Sequence, residues 1–123
     1  MRFARLWAQW ENALAAIASD GAHYESPSEY ARAFSRLENH YFVNAGFLES
    51  DGWIMANRGR IEHIPAVIVQ GRYDIICPPR SAWDLAQAWP EARLEMVIAG
   101  HSANEAATTD ALVRATDAFA DRS

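Results

Sequence analysis

Apolar positions recur along this chain in two different rhythms, and the change of rhythm divides it. Through residues 2 to 18, Phe3, Leu6, Trp7, Trp10, Leu14 and Ile17 return every three or four positions, which predicts an amphipathic helix. A polar loop from Ser19 to Glu25, containing Gly21, separates it from a second predicted helix. That helix opens with Ser26 as N-cap, Pro27 at the first helical position and Glu29 three residues after the cap. It runs to about Asn44 and stops at Gly46, a residue type suited to the left-handed turn that ends helices. From 47 to 64 the pattern weakens to a loop around Glu49-Ser50-Asp51-Gly52 and a short helix over Trp53 to Arg60.

The rhythm then shortens. Ile64-Pro65-Ala66-Val67-Ile68-Val69-Gln70-Gly71-Arg72-Tyr73-Asp74 holds a continuous apolar run bounded by turn residues. A second strand signal covers Ala92-Arg93-Leu94-Glu95-Met96-Val97-Ile98-Ala99-Gly100-His101, and a short helical pattern from Ser81 to Trp89, closed by Pro90, lies between them. A last helix is predicted from about Thr109 to Asp121, with Leu112, Ala115, Thr116 and Phe119 on one face. The order is that of an α/β chain with two parallel strands and flanking helices. Ala66-Val67-Ile68-Val69 is apolar on both faces, as in a central strand covered on both sides. Two strands alone make a poor parallel sheet with open edges that invite pairing. The expectation is a piece of a larger protein, or self-association through those edges.

Asp74 and His101 stand just past the carboxyl ends of the two strands, where open α/β sheets gather their chemistry. An acid followed by a histidine in that order forms the second half of a Ser…Asp…His hydrolase triad. The first half, a serine at a Gly-x-Ser-x-Gly turn, is not in this sequence. Read singly, Asp74 is a turn residue and His101 a satisfied histidine beside Gly100; read with both strands, they are the candidate catalytic pair. His40 reads as structural. Cys77 lacks a strong basic neighbour, Arg80 being a weak candidate. Ser102 has no nucleophile turn around it, and Trp83 and Trp89 read as core packing.

Two glutamates break the helical stripes. Trp7, Trp10, Glu11 and Leu14 share one face of the first helix, and Phe34, Leu37, Glu38, Tyr41 and Phe42 share one face of the second. A carboxylate on such a face is costly unless paired, and burial raises its pKa. Each glutamate alone is compatible with a stripe-edge position or an ion pair to an arginine such as Arg36. Two in an aromatic setting favour a cation-binding pocket, whose natural ligand would be an amine.

Composition narrows the partners. With 123 residues the chain is at most one domain, and its 50% hydrophobic content suffices for a core. A net charge of −5 with scattered Lys and Arg argues against nucleic acid and anionic membranes. No apolar run approaches the roughly 18 residues of a spanning helix. The N-terminus reads as a helix start and not as a signal peptide. One cysteine, Cys77, fits a cytoplasmic setting. No metal-ligand spacing or nucleotide-binding loop is present, so no cofactor is expected.

Six stretches carry a resemblance: Leu6-Trp7-Ala8-Gln9-Trp10-Glu11, Arg36-Leu37-Glu38-Asn39-His40-Tyr41-Phe42, Ile61-Glu62-His63 through Asp74, Ala82-Trp83-Asp84-Leu85, Ala88-Trp89-Pro90-Glu91-Ala92 and Ala99-Gly100-His101-Ser102. With Leu112-Val113-Arg114-Ala115-Thr116-Asp117 they span almost the whole chain. The sequence resembles the C-terminal part of the prolyl aminopeptidases (proline iminopeptidases), serine exopeptidases of the α/β-hydrolase fold. The resemblance implies that residues 1–60 belong to a helical cap domain and 61–123 to the C-terminal βαβα portion of the core. It implies Asp74 and His101 as triad acid and base, Glu11 and Glu38 as holders of the substrate's free α-amine, a peptide with N-terminal proline as substrate, and no cofactor. The family's nucleophile block precedes the matching region, so the chain alone is expected to be inactive. Two departures are visible: Gly59 and Arg60 fall where relatives are less glycine-rich, and Asn104-Glu105-Ala106 lacks a proline that relatives often carry. Two other readings stay open. One is another cap-bearing α/β hydrolase acting on an ester, amide or epoxide; the other is a non-catalytic product of a truncated gene.

Overall fold

The computed structural model describes residues 2–17 and 27–120. Helix α1 spans Arg2–Ala15 and α2 spans Ser28–Val43. A short helix α3 (Trp53–Ala56) and a 3-10 turn at Arg58–Arg60 lead into strand β1 (Ala66–Gly71). Helix α4 (Pro79–Ala88), strand β2 (Ala92–Val97) and helix α5 (Ala106–Ala120) complete the described residues. The two strands pair in parallel, in register from Ala66↔Ala92 to Gly71↔Val97, and α4 and α5 pack on both. The architecture is α/β, two parallel strands with flanking helices, compatible with the C-terminal part of an α/β hydrolase.

Several element ends differ from the sequence expectation. The expected cap Ser26 lies outside the described residues, and helix α2 begins one residue after Pro27. Pro27 has ψ 143°, an extended conformation, and its carbonyl accepts the Ala31 N–H at 2.9 Å. The expected helix over Trp53 to Arg60 breaks at Asn57, whose side chain bonds back to the Trp53 carbonyl at 2.9 Å. Helix α4 begins earlier than expected, with Pro79 in its first turn, where a missing N–H costs nothing. Helix α5 begins at Ala106, three residues before the expected Thr109. After α2 the chain turns through Ala45, Gly46 and Phe47, all with positive φ of 50°, 64° and 60°. His40 and Tyr41 pack their rings on Phe47 and brace that turn, with centroids 5.2 and 5.5 Å away.

Among the described residues the buried hydrophobic ones are all alanines. Ala8 and Ala31 are fully buried and Ser35 nearly so, and Ser35 Oγ donates to the Ala4 carbonyl at 3.0 Å, so α1 and α2 approach closely. The buried face of α1 runs through Ala4, Trp7, Ala8, Glu11 and Ala15, while Trp10 is 55% exposed. Around the sheet, Ile75, Ile98 and Trp83 are exposed. Ala66 to Val69 of β1, expected to be covered on both faces, are only half-buried here.

Candidate active site

Because β1 and β2 are parallel, both leave the sheet at the same edge. A glycine at the end of β1 lets their extensions stay together there. A methyl group at Gly71 would stand 1.8 Å from the Gly100 carbonyl oxygen and 2.8 Å from that of Ala99. The extensions remain bonded by Arg72 N–H to the Val97 carbonyl (2.8 Å) and Tyr73 N–H to the Ala99 carbonyl (3.0 Å). This delivers Asp74 and His101 to each other: His101 Nδ1 lies 3.0 Å from Asp74 Oδ2.

Asp74 is buried and held from several sides. Its Oδ1 accepts the N–H of Ile76 at 3.0 Å and of Cys77 at 2.8 Å. Gln70 Nε2 donates to Oδ2 at 3.1 Å and to the Cys77 carbonyl at 3.2 Å. Burial pushes the Asp74 carboxyl up, but the Cys77 amide, His101 and the Ile76 amide together outweigh it, so its pKa lies below the ordinary value. An ionised carboxylate only accepts hydrogen bonds, so Nδ1 of His101 carries a proton, and in the neutral ring the lone pair is then on Nε2. An imidazole anchored in this way can take a proton at Nε2.

Helix α1 reaches the same place from the other side. The Ala15 carbonyl accepts the Ser102 N–H at 2.7 Å. Glu105 clamps the junction, taking the Gly100 N–H on Oε1 at 2.6 Å and the Ile17 N–H on Oε2 at 3.3 Å. One turn before Ala15 stands Glu11, 8% exposed. Burial raises its pKa first, the charge of Glu38 raises it further, and His101 lowers it. Glu11, Glu38 and His101 thus share one electrostatic neighbourhood. Glu38 is half-buried, and its partner is not Arg36: Oε2 accepts the indole N–H of Trp7 at 2.6 Å.

The lesser candidates are accounted for. Partial desolvation, then the charges of Asp74 and Glu11, raise the Cys77 thiol pKa, which makes it a poor nucleophile. Arg80 is taken by Asp84 at 2.8 Å. The Ser102 hydroxyl accepts the Asn104 N–H at 3.2 Å in a local turn. Among the described residues no group of three His, Cys, Asp or Glu is placed to hold a metal, and no helix is long and apolar enough to cross a membrane. A wide groove of about 890 Å³ runs along α1 and α2 past Phe3, Trp7, Arg36 and His40 but includes neither Asp74 nor His101. Charged chemistry, not concavity, locates the site. Sequence reasoning passed over Gln70, Glu105 and the hydrogen-bonding role of Trp7. Gln70 had a signal, a polar residue ending an apolar strand four positions before Asp74; Glu105 had none.

Over 95% of its length the chain is 49% identical to a proline iminopeptidase from Xanthomonas citri. It is a relative of the proline iminopeptidases. The counterpart from Neisseria gonorrhoeae is 49% identical over 93% of the chain, and that from Arabidopsis thaliana is 47% identical over 93%. The chain spans about 38% of the length of the Xanthomonas relative, 36% of the Neisseria one and 31% of the Arabidopsis one. No family model matches the chain.

Proposed function

We propose that this chain is the C-terminal part of a prolyl aminopeptidase, a serine peptidase that releases N-terminal proline from peptides. The observation that carries the reading is the Asp74–His101 contact, with the buried Glu11 of α1 within the electrostatic reach of both His101 and Glu38. In this reading residues 1–60 are part of the cap and 61–123 complete the hydrolase core. The nucleophilic serine and the oxyanion donors belong to the rest of the whole protein. The exposed Ile75, Ile98 and Trp83 and the open edge of β1 support a core continued by other residues.

The serine hydroxyl attacks the carbonyl of the substrate's first residue while His101 Nε2 takes its proton. The tetrahedral intermediate collapses as His101 returns that proton to the leaving amine, and water repeats the cycle on the acyl-enzyme. Asp74 keeps the proton on Nδ1 and stabilises the imidazolium. Glu11 and Glu38 pair with the secondary ammonium of proline, and that positive charge relieves the cost of holding two carboxylates together. The chemistry calls for no metal or organic cofactor. The partner is a peptide, not nucleic acid or a membrane, given the net charge of −5. One cysteine and no paired thiols support a cytoplasmic setting.

The test is kinetic. In a full-length chimera, with this chain in place of the matching segment of the Xanthomonas citri relative, Glu11→Gln should raise KM for proline p-nitroanilide about tenfold or more. It should raise KM for p-nitrophenyl cyclopentanecarboxylate, an ester of the same ring size with no amine, far less. Equal effects on both substrates would refute the amine pocket.

A further inference from the structure

Of the residues that surround the two glutamates, Trp7 has a contact that the hydrolytic chemistry does not use. Its indole N–H donates to Glu38 Oε2 at 2.6 Å, across the helix pair. An indole nitrogen only donates, so this contact needs an acceptor, and a carboxylate is the strongest available. The ring is clamped by aromatics from both helices, with Trp10 of α1 at 5.8 Å and Phe42 of α2 at 6.3 Å between centroids. Trp7 also stands four residues before Glu11, so both occupy one face of α1. A single helix face therefore bears one carboxylate and the donor that holds the other.

We propose that Trp7 is a positioning residue: its N–H fixes the Glu38 carboxylate opposite Glu11 and so sets the preference for substrates with a free secondary amine. This rests on the amine-pocket reading above. Glutamate has a long, flexible side chain, and a ligand that must order it loses affinity in proportion. Anchoring one oxygen leaves the carboxylate with acceptor capacity for an ammonium. The helices themselves are tied elsewhere, by Ser35 to the Ala4 carbonyl at 3.0 Å and by Arg5 to Ser28, so loss of the indole N–H is a local change.

The experiment uses the same full-length chimera. Trp7 is replaced by Phe and, in parallel, by 3-benzothienylalanine, which keeps the shape of the ring and removes only the N–H. Both replacements should raise KM for proline p-nitroanilide roughly tenfold, the worth of a hydrogen bond to a charged group. KM for the amine-free ester should shift less than about twofold, because uniform effects on both would mean lost folding and not lost recognition. In a double-mutant cycle with Glu38→Ala, Trp7→Phe should add little to the rise in KM, since its partner is already gone. Equal shifts on both substrates, or full additivity with Glu38→Ala, would overturn the positioning role while leaving the amine pocket standing. So would unchanged KM in the Trp7 replacements when Glu38→Ala is strongly selective. A Glu38→Ala chimera with unaltered selectivity, or a parent chimera that cleaves the ester but not the anilide, would defeat both.

Discussion

A single methyl group at position 71 should take the Asp74–His101 pair apart without touching either residue. The added carbon of Gly71→Ala would lie 1.8 Å from the Gly100 carbonyl oxygen. An unstrained carbon–oxygen contact needs about 3.3 Å, so the two strand extensions must separate by roughly 1.5 Å. Backbone atoms form the obstacle, so no rotamer change relieves it. The separation breaks the Arg72–Val97 and Tyr73–Ala99 hydrogen bonds of 2.8 and 3.0 Å. At about 1 kcal/mol for each bond and about 1–3 kcal/mol for overpacking, the loss is roughly 3–5 kcal/mol. For a chain of this size that lowers Tm by more than about 10 °C, read by circular dichroism. In the full-length chimera a displacement of this size at the candidate catalytic pair should cut kcat/KM by about a hundredfold. Gly100→Ala serves as the milder comparison, because its nearest obstacles stand at 3.0–3.2 Å and lie on the α1 junction and Glu105, not on the β1 extension. A Gly71→Ala protein melting within about 2 °C of the parent, with activity within about threefold, would show that the close approach does not hold the pair together.

Two more outcomes test the catalytic assignment. Asp74→Asn in the full-length chimera should lower kcat by about 10⁴, as loss of the orienting acid does in a serine triad. Its stability should also carry a pH signature. The folded pKa of Asp74 is depressed, so its ionisation stabilises the fold above the ordinary value of 3.8, and that contribution is lost as pH falls through the lower folded value. The Tm gap between parent and Asp74→Asn should therefore be widest near neutrality and close in strong acid; a gap independent of pH would contradict the depressed pKa. Finally, the purified 123-residue chain should not hydrolyse proline β-naphthylamide, because a base with its orienting acid has no nucleophile to activate. Turnover that disappears in His101→Ala would reveal a nucleophile inside the chain.

Local patterns in the sequence were enough to bring the candidate pair to one place on the fold. A four-residue apolar run, a second strand and a helix between them imply parallel strands, and parallel strands put Asp74 and His101 at one edge. Glu11 and Glu38 were legible because each interrupts a stripe of period 3.6, and any local window detects such an interruption. The identity of the partners was not legible. Glu38 faces the Trp7 N–H and not Arg36, a choice made across 31 positions of sequence. Glu105 holds Gly100 and reaches Ile17 across 88 positions, and Gly71 at the end of β1 meets Gly100 in the loop after β2. The buried face of α1 also departed from hydrophobicity: small residues allow two helices to approach, so Ala4 and Ala8 lie inside while Trp10 stays half outside. Periodicity records what each backbone segment does by itself. Which side chains meet, how closely, and with what consequence for charge is decided only when distant segments pack, because those energies belong to pairs that no window of sequence contains.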